Sequence, residues 1–172
     1  ATELETVVMD WLRQMIGLPE GFGGVIQDSA SSATLCAVLV ARERASDWQT
    51  NEQGLARGPE LCFYTSEQAH SSIEKAIRIA GLGRQSLRQI ATDAAFAMRA
   101  DALEAAVRAD LADGRRPAGV IATLGTTGVG AIDPLGPIGA ICRRHGLYLH
   151  VDAAWAGAVA GFGSGLTVVS YL

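Results

Sequence analysis

Asp152 closes the apolar run Tyr148-Leu149-His150-Val151 and is followed by Ala153-Ala154-Trp155-Ala156-Gly157. A carboxylate at the end of a buried segment is costly unless it is paired. The small side chains beside it leave room for a flat group. One reading therefore pairs Asp152 with a protonated heteroaromatic nitrogen, which keeps a ring positive and able to accept electrons. The plainer reading is a helix cap or a loop hydrogen bond, and the residue type alone favours it. Upstream, Ser29-Ala30-Ser31-Ser32 opens a helical pattern. Unpaired backbone N–H groups and serine hydroxyls at such a start can receive a phosphate. Simple N-capping by Asp28 or Ser29 accounts for the same residues. Asp28 complicates the anion reading, because a carboxylate repels a phosphate unless it turns away.

Two further groups belong to the same chemistry. His70 follows Glu67-Gln68-Ala69 directly after a short strand pattern, where it could stack on an aromatic ring and donate a proton, or simply cap a helix. Gly125-Thr126-Thr127-Gly128 follows another strand; its hydroxyls suit a ring substituent, and a tight turn would look the same. Against these stands Lys75, the only lysine in the sequence. It lies five residues beyond His70 in one helical pattern, about 1.4 turns away, so the two side chains point in different directions. Glu74 and Arg78 form an i,i+4 pair beside it. Surface solvation is the expected role of Lys75, and Schiff-base chemistry there is not expected.

The elements that must position these residues can be read from periodicity. Leu4, Val7, Val8, Trp11, Leu12 and Met15 predict a leading helix within residues 1–16, with Thr2 and Glu5 as a capping box and Gly17 and Pro19 as its stop. Gly21 to Gly24 reads as a loop. Further helices are expected over 29–44, 66–82, 101–113 and 135–144, and a polar surface loop or frayed helix end over 47–59. Strands are expected over 61–65, 86–90, 120–124 and 147–151, and a last one over 166–172. Strands alternating with helices indicate an α/β fold, a mostly parallel sheet with helices on its faces. Ligands of such sheets sit beyond the carboxyl ends of the strands. Residues 66–70, 125–128 and Asp152 all fall there.

Composition narrows the function classes. The chain has 172 residues, 49% of them hydrophobic and 19% charged, with a net charge of -4. The length suits one domain with a real core. Without a basic block, nucleic acid is not an expected partner; Arg115-Arg116 and Arg143-Arg144 are isolated pairs. Cys36, Cys62 and Cys142 are too far apart for a metal knuckle and are expected to be buried free thiols. His70, His145 and His150 lack metal-ligand spacing. No secretory segment opens the chain, and the uncharged stretch from Ala153 to Leu172 is broken by glycines. A cytoplasmic protein without a membrane partner is expected.

Taken together, ordered matches from Thr2 to about Gly157 resemble the group II pyridoxal-phosphate-dependent decarboxylases, the aromatic-L-amino-acid decarboxylases most of all. They include Glu3-Leu4-Glu5, Trp11-Leu12, Gly24-Val25-Ile26-Gln27, Ser29-Ala30-Ser31, Gln68-Ala69-His70-Ser71-Ser72, Phe96-Ala97-Met98-Arg99, Ala122-Thr123-Leu124-Gly125-Thr126-Thr127 and His150 to Gly157. The resemblance implies part of the large domain of a fold-type I transferase and pyridoxal 5'-phosphate as cofactor. Ser29, Ala30 and Ser31 would contact its phosphate. His70 would stack on its ring, Ala153 would pack on the other face, Asp152 would pair with the ring nitrogen, and Thr126 would sit near the ring hydroxyl. His70 and Asp152 would be the catalytic pair. The substrate would be an amino acid, aromatic ones being suggested, and the assembly a homodimer.

The departures from the family pattern set the functional expectation. The Asn-Pro-His-Lys segment carrying the Schiff-base lysine is absent, and so are the small C-terminal domain and the N-terminal segment that wraps the partner. Asp28 stands where the closest relatives usually have glycine. Residues 158–172 form a divergent tail, so 1–172 reads as a partial large domain. The expected function is an amino-acid decarboxylase core, inactive as an isolated chain. The alternative is a non-catalytic cofactor-binding or protein-interaction module derived from the same fold.

Overall fold

A computed structural model describes residues 2–157. Four parallel strands form one sheet: β1 (Leu61–Ser66), β2 (Leu87–Ile90), β3 (Arg116–Thr123) and β4 (Tyr148–Asp152), in the order β2-β1-β3-β4. β1 is buried along its whole length and β3 from Ala118 onward. That burial explains why they read as continuous apolar runs: parallel strands are covered on both faces. The expected α/β architecture is what the chain adopts.

Two helical layers supply the cover. On one face lie α2 (Ala30–Ala45) and α4 (Ser72–Ile79), packed through Val38, Ala41, Ile73 and Ile77 onto Leu61, Phe63, Ile121 and Tyr148. On the other lie α5 (Ala100–Ala112) and α6 (Leu135–His145), packed through Leu103, Val107, Ile138 and Ile141 onto Cys62, Tyr64, Val120 and Leu149. α6 ends at Gly146, whose φ of 67° is the left-handed geometry that stops a helix without a Cβ penalty. The leading helix α1 (Thr2–Met15) forms as its periodicity predicts, yet buries none of its residues; Leu4 is 67% and Trp11 59% exposed. A short helix, α3 (Thr50–Gln53), and a 3-10 turn (Leu55–Arg57) occupy the polar stretch read as loop or frayed helix.

Two expectations are corrected. The helix expected over 66–82 spans only Ser72–Ile79. Ser66 belongs to β1, and its Oγ accepts from Gln68 N at 3.0 Å while its carbonyl accepts from Ala69 N at 3.0 Å. That local turn competes with the helix and delays its start, so His70 sits in the β1–α4 turn rather than in the helix. Cys36 is exposed, whereas Cys62 and Cys142 are buried as expected. Burial pushes both buried thiols up to about 12, with Asp110 adding to the effect at Cys62. The strand expected over 166–172 and the tail 158–172 lie outside the described residues. Among the described residues, no helix is long and apolar enough to cross a membrane and no cluster of metal-ligand side chains occurs.

Candidate active site

The connection leaving β1 runs through α4 on one face, and the connection leaving β3 runs through α6 on the other. β1 and β3 are neighbours, so their carboxyl ends part and leave a crevice, the expected ligand position in such a sheet. A cleft of about 200 Å³ opens there. It is lined by Ser29, Ala30 and Ser31 at the start of α2, His70 and Ser72 at the start of α4, Thr123, Gly125 and Thr127 at and beyond the end of β3, and Asp152, Ala154 and Trp155 at and beyond the end of β4. Five of the seven residues singled out from sequence thus meet in one place: Ser29, Ala30, Ser31, His70 and Asp152. Thr126 and Ala153 are not among the lining residues.

Ser29 caps α2. Its backbone is extended (φ -159°, ψ 161°), and its Oγ accepts from Ser32 N at 3.2 Å. Capping by Ser29 does not use up this helix start, which carries more free N–H groups than one side chain can satisfy. Asp28 is exposed and does not line the cleft, so its carboxylate does not compete for that position. At His70, Ser72 N donates to Nδ1 at 3.3 Å, with the Ser72 hydroxyl 2.8 Å from the same nitrogen. Nδ1 therefore holds a lone pair, and the neutral ring carries its hydrogen on Nε2. The position of His70 in a turn, rather than inside a helix, is what lets its ring border the cleft.

Asp152 is 9% exposed, and its Oδ1 accepts from Ala154 N at 3.2 Å. This is the loop hydrogen bond of the plainer reading, but it leaves the carboxylate without a cation. No arginine, lysine or histidine lies within ion-pair distance of it among the described residues. His150, two residues earlier on the same side of β4, is held below the usual histidine range by burial, with Asp152 opposing the shift. It is therefore neutral near pH 7 and supplies no counter-charge.

The β3–α6 loop is shaped by residues that periodicity alone did not single out. Thr126 is buried, and its Oγ1 accepts from Ala131 N at 3.0 Å, so its hydroxyl shapes the turn while the neighbouring Thr127 lines the cleft. Gly125 has a φ of 80°, and a Cβ there would come within 2.5 Å of the Trp155 ring. Glycine alone allows the β4 loop to close over this turn. Asp133, which lies just before α6, is 1% exposed. It accepts from Met98 N and Thr123 N, both at 2.8 Å. Burial raises its pKa despite those two bonds. It ties the loop before α5 and the loop before α6 to the end of β3. In the sequence it stands as Asp133-Pro134 just ahead of a helix, where an ordinary cap would look the same.

Lys75 lies on α4, whose buried positions are Ser72, Ile73, Ala76 and Ile77. Lys75 is exposed and lines no part of the cleft. The Glu74–Arg78 pair forms beside it at 3.8 Å.

The fold brings the N-terminus of α2, His70 and, among the described residues, a buried carboxylate without a counter-cation to a single crevice. Residues 1–162 match the pyridoxal-dependent decarboxylase conserved domain, and the chain belongs to that family. It is 48% identical over 169 residues to the aromatic-L-amino-acid decarboxylase of Sus scrofa, covering 91% of this chain and 34% of that protein. It is 45% identical over 171 residues to the histidine decarboxylase of Mus musculus, covering 91% of this chain and 25% of that protein. Among solved structures, Catharanthus roseus tryptophan decarboxylase in complex with L-tryptophan superposes with a TM-score of 0.85 at 38% identity, covering 93% of this chain and 35% of that one. Mouse CSAD in apo form superposes with a TM-score of 0.87 at 37% identity, covering 92% and 33%. The chain thus spans about a third or less of the length of these relatives.

Proposed function

We propose that this chain is the cofactor-holding core of a pyridoxal-phosphate-dependent amino-acid decarboxylase. The observation that carries the reading is Asp152: among the described residues a buried carboxylate without a cation, lining the same cleft as the N-terminus of α2. Burying such a charge is expensive unless a partner arrives, and a protonated ring nitrogen is a partner of the right sign and shape. The donor set fits the cofactor at both ends. Ser29, Ser31 and the first N–H groups of α2 would hold the phosphate, Asp152 would keep the ring nitrogen protonated, and His70 would cover one ring face with Nε2–H available to donate. Thr127 would stand near the ring hydroxyl in place of Thr126, and Ala153 would support the ring from the β4 loop. When bound, the cofactor supplies an electron sink for the bond to the substrate's carboxylate.

The residues of this chain do the binding, orienting and charge-holding; they do not supply covalent attachment. The only lysine, Lys75, is on the solvent face of α4. The cleft is also smaller than the roughly 300–1,000 Å³ usual for a complete ligand pocket. Both points support a half-site: a second copy of the chain is the natural candidate for enlarging the cleft, the attachment lysine has to come from other protein, and the substrate is an amino acid, aromatic ones included. By itself the chain would bind the cofactor without turning substrate over. The test is a titration with pyridoxal 5'-phosphate followed by absorbance, then borohydride reduction and peptide mapping. Saturable binding without a stoichiometric adduct at Lys75 is the expected result. Absence of saturable binding would overturn the cofactor reading, and a specific Lys75 adduct would overturn the division of labour.

A further inference from the structure

Thr123 ends β3 directly beside Asp152, which ends β4; the two are Cα partners in the parallel ladder. Paired residues of neighbouring strands project to the same side of a sheet, about 4.8 Å apart. Thr123 lines the cleft, yet its Oγ1 is buried and has no hydrogen-bond partner. The contrast with Thr65 is instructive. Thr65 occupies the corresponding side of β1, and its hydroxyl donates to Ile121 O across the ladder at 3.0 Å. Thr123 makes no such bond to the neighbouring strand. Its backbone, meanwhile, is held on both sides: Asp133 Oδ2 accepts from Thr123 N at 2.8 Å, and Asp133 N donates to Thr123 O at 3.0 Å. The remaining freedom of the residue is its χ1 rotation, which exchanges methyl and hydroxyl positions.

We infer that Thr123 is a positioning residue for Asp152, donating its hydroxyl hydrogen to that carboxylate and holding it toward a protonated ring nitrogen bound in the cleft. The inference rests on the cofactor reading above. Ala154 N already binds Oδ1 at 3.2 Å, and a second donor from the neighbouring strand fixes the carboxylate plane. A hydrogen bond to the ionised form also favours that form. A buried hydroxyl without a partner is a cost to the folded chain, so the residue serves the bound state and not the fold.

That sign difference makes the inference testable by binding and melting together. Pyridoxal 5'-phosphate affinity is read from quenching of Trp155, which lines the same cleft. Thr123→Val should raise the dissociation constant about tenfold, equivalent to about 1.4 kcal/mol, while the melting temperature holds or rises. Thr123→Ser, which keeps the hydroxyl, should bind like the parent. Inorganic phosphate should compete with equal potency in parent and Thr123→Val, because the phosphate end lies at α2. Affinity within twofold of the parent in Thr123→Val overturns the inference. So does a loss that Thr123→Ser fails to restore, or one accompanied by a lower melting temperature. Asp152→Ala separates the two levels: if it weakens binding and Thr123→Val does not, only the role of Thr123 falls. If the parent shows no saturable binding, the cofactor reading falls and the inference with it.

Discussion

Two buried aspartates on opposite sides of this sheet have opposite surroundings. Asp110, on α5, is 4% exposed and surrounded by donors. Tyr64 Oη donates to it at 2.8 Å, Arg88 from both Nε and a terminal nitrogen at 2.9–3.2 Å, and Arg115 at 3.2 Å. Burial alone would raise its pKa, but the hydrogen bonds from Arg88 and Tyr64 outweigh that and hold it below the ordinary aspartate value. The cluster joins edge strand β2 to β1 and α5, and its ionic needs are met within the fold. Among the described residues, the Asp152 carboxylate has one backbone N–H and no cation. The lesson is that burial of a carboxylate does not identify a site. An unmet requirement at a crevice is the stronger pointer, because a partner arriving there would relieve it.

The comparison can be broken most sharply at Asp110. Asp110→Ala strands Arg88 and Arg115, and removing one partner from such a cluster should cost about 2–4 kcal/mol, less than a fully buried pair because both arginines are partly wet. Urea denaturation followed by circular dichroism measures this. Asp152→Ala in the same assay should leave stability unchanged or slightly higher, because it relieves an uncompensated buried charge. Equal destabilisation by the two variants would erase the distinction.

A smaller effect is expected at the helix start. Ser29→Ala removes the cap on Ser32 N and should lower stability by about 1 kcal/mol. It should also weaken binding of the phosphate end of pyridoxal 5'-phosphate. A loss of stability with unchanged cofactor affinity would return Ser29 to a purely structural role.

Acid titration sharpens the comparison further. Glu104, on α5, is held down to about 2 by its hydrogen bond with His145, with Arg108 and Arg144 contributing. Asp110 is also lowered. Groups whose folded pKa is depressed stabilise the fold above their unfolded values, and that contribution is lost as pH falls toward the folded pKa. Asp133 has the opposite sign: its raised pKa means that the folded state binds its proton more tightly, so it favours the fold as pH falls through its folded value. With Asp10 and Asp101 also lowered by their arginine partners, four lowered carboxylates against the raised Asp133 predict a net loss of stability from about pH 4.5 toward 2. Urea midpoints measured near neutrality and at about pH 3 should show that fall. In Asp110→Ala the fall should be shallower.

Much of the fold was legible because periodicity reports burial. The runs Leu61–Thr65, Val120–Leu124 and Leu147–Val151 lie on strands, and the helical stripes of 29–44, 101–113 and 135–144 lie on helices. Less legible were features set by competition or by neighbours distant in sequence. Apolar spacing carried the helix around His70 back to Ser66, but the Ser66 hydroxyl and carbonyl make a turn that spacing cannot register. The face of α1 reads as core by its period, yet stays exposed among the described residues because a stripe does not say what covers it. Cys36 likewise has apolar neighbours in sequence but lies on the open side of α2.

At the site, the sequence by itself determined the residue types that gather at the cleft: Ser29 with Ser31, His70 and Asp152. Their chemistry is local, and each lies just beyond a strand or at a helix start. Only the tertiary structure decided which hydroxyls face the cleft. Thr126 and Thr127 are adjacent and identical in type, yet the Ala131 N–H draws one into the turn and leaves the other at the opening. Thr123 was part of a matching motif without a role of its own. Its unpaired hydroxyl became visible when the ladder placed it beside Asp152 and Asp133 fixed its backbone. A side chain's hydrogen-bond partners are set by residues tens of positions away, and a linear pattern carries no record of them.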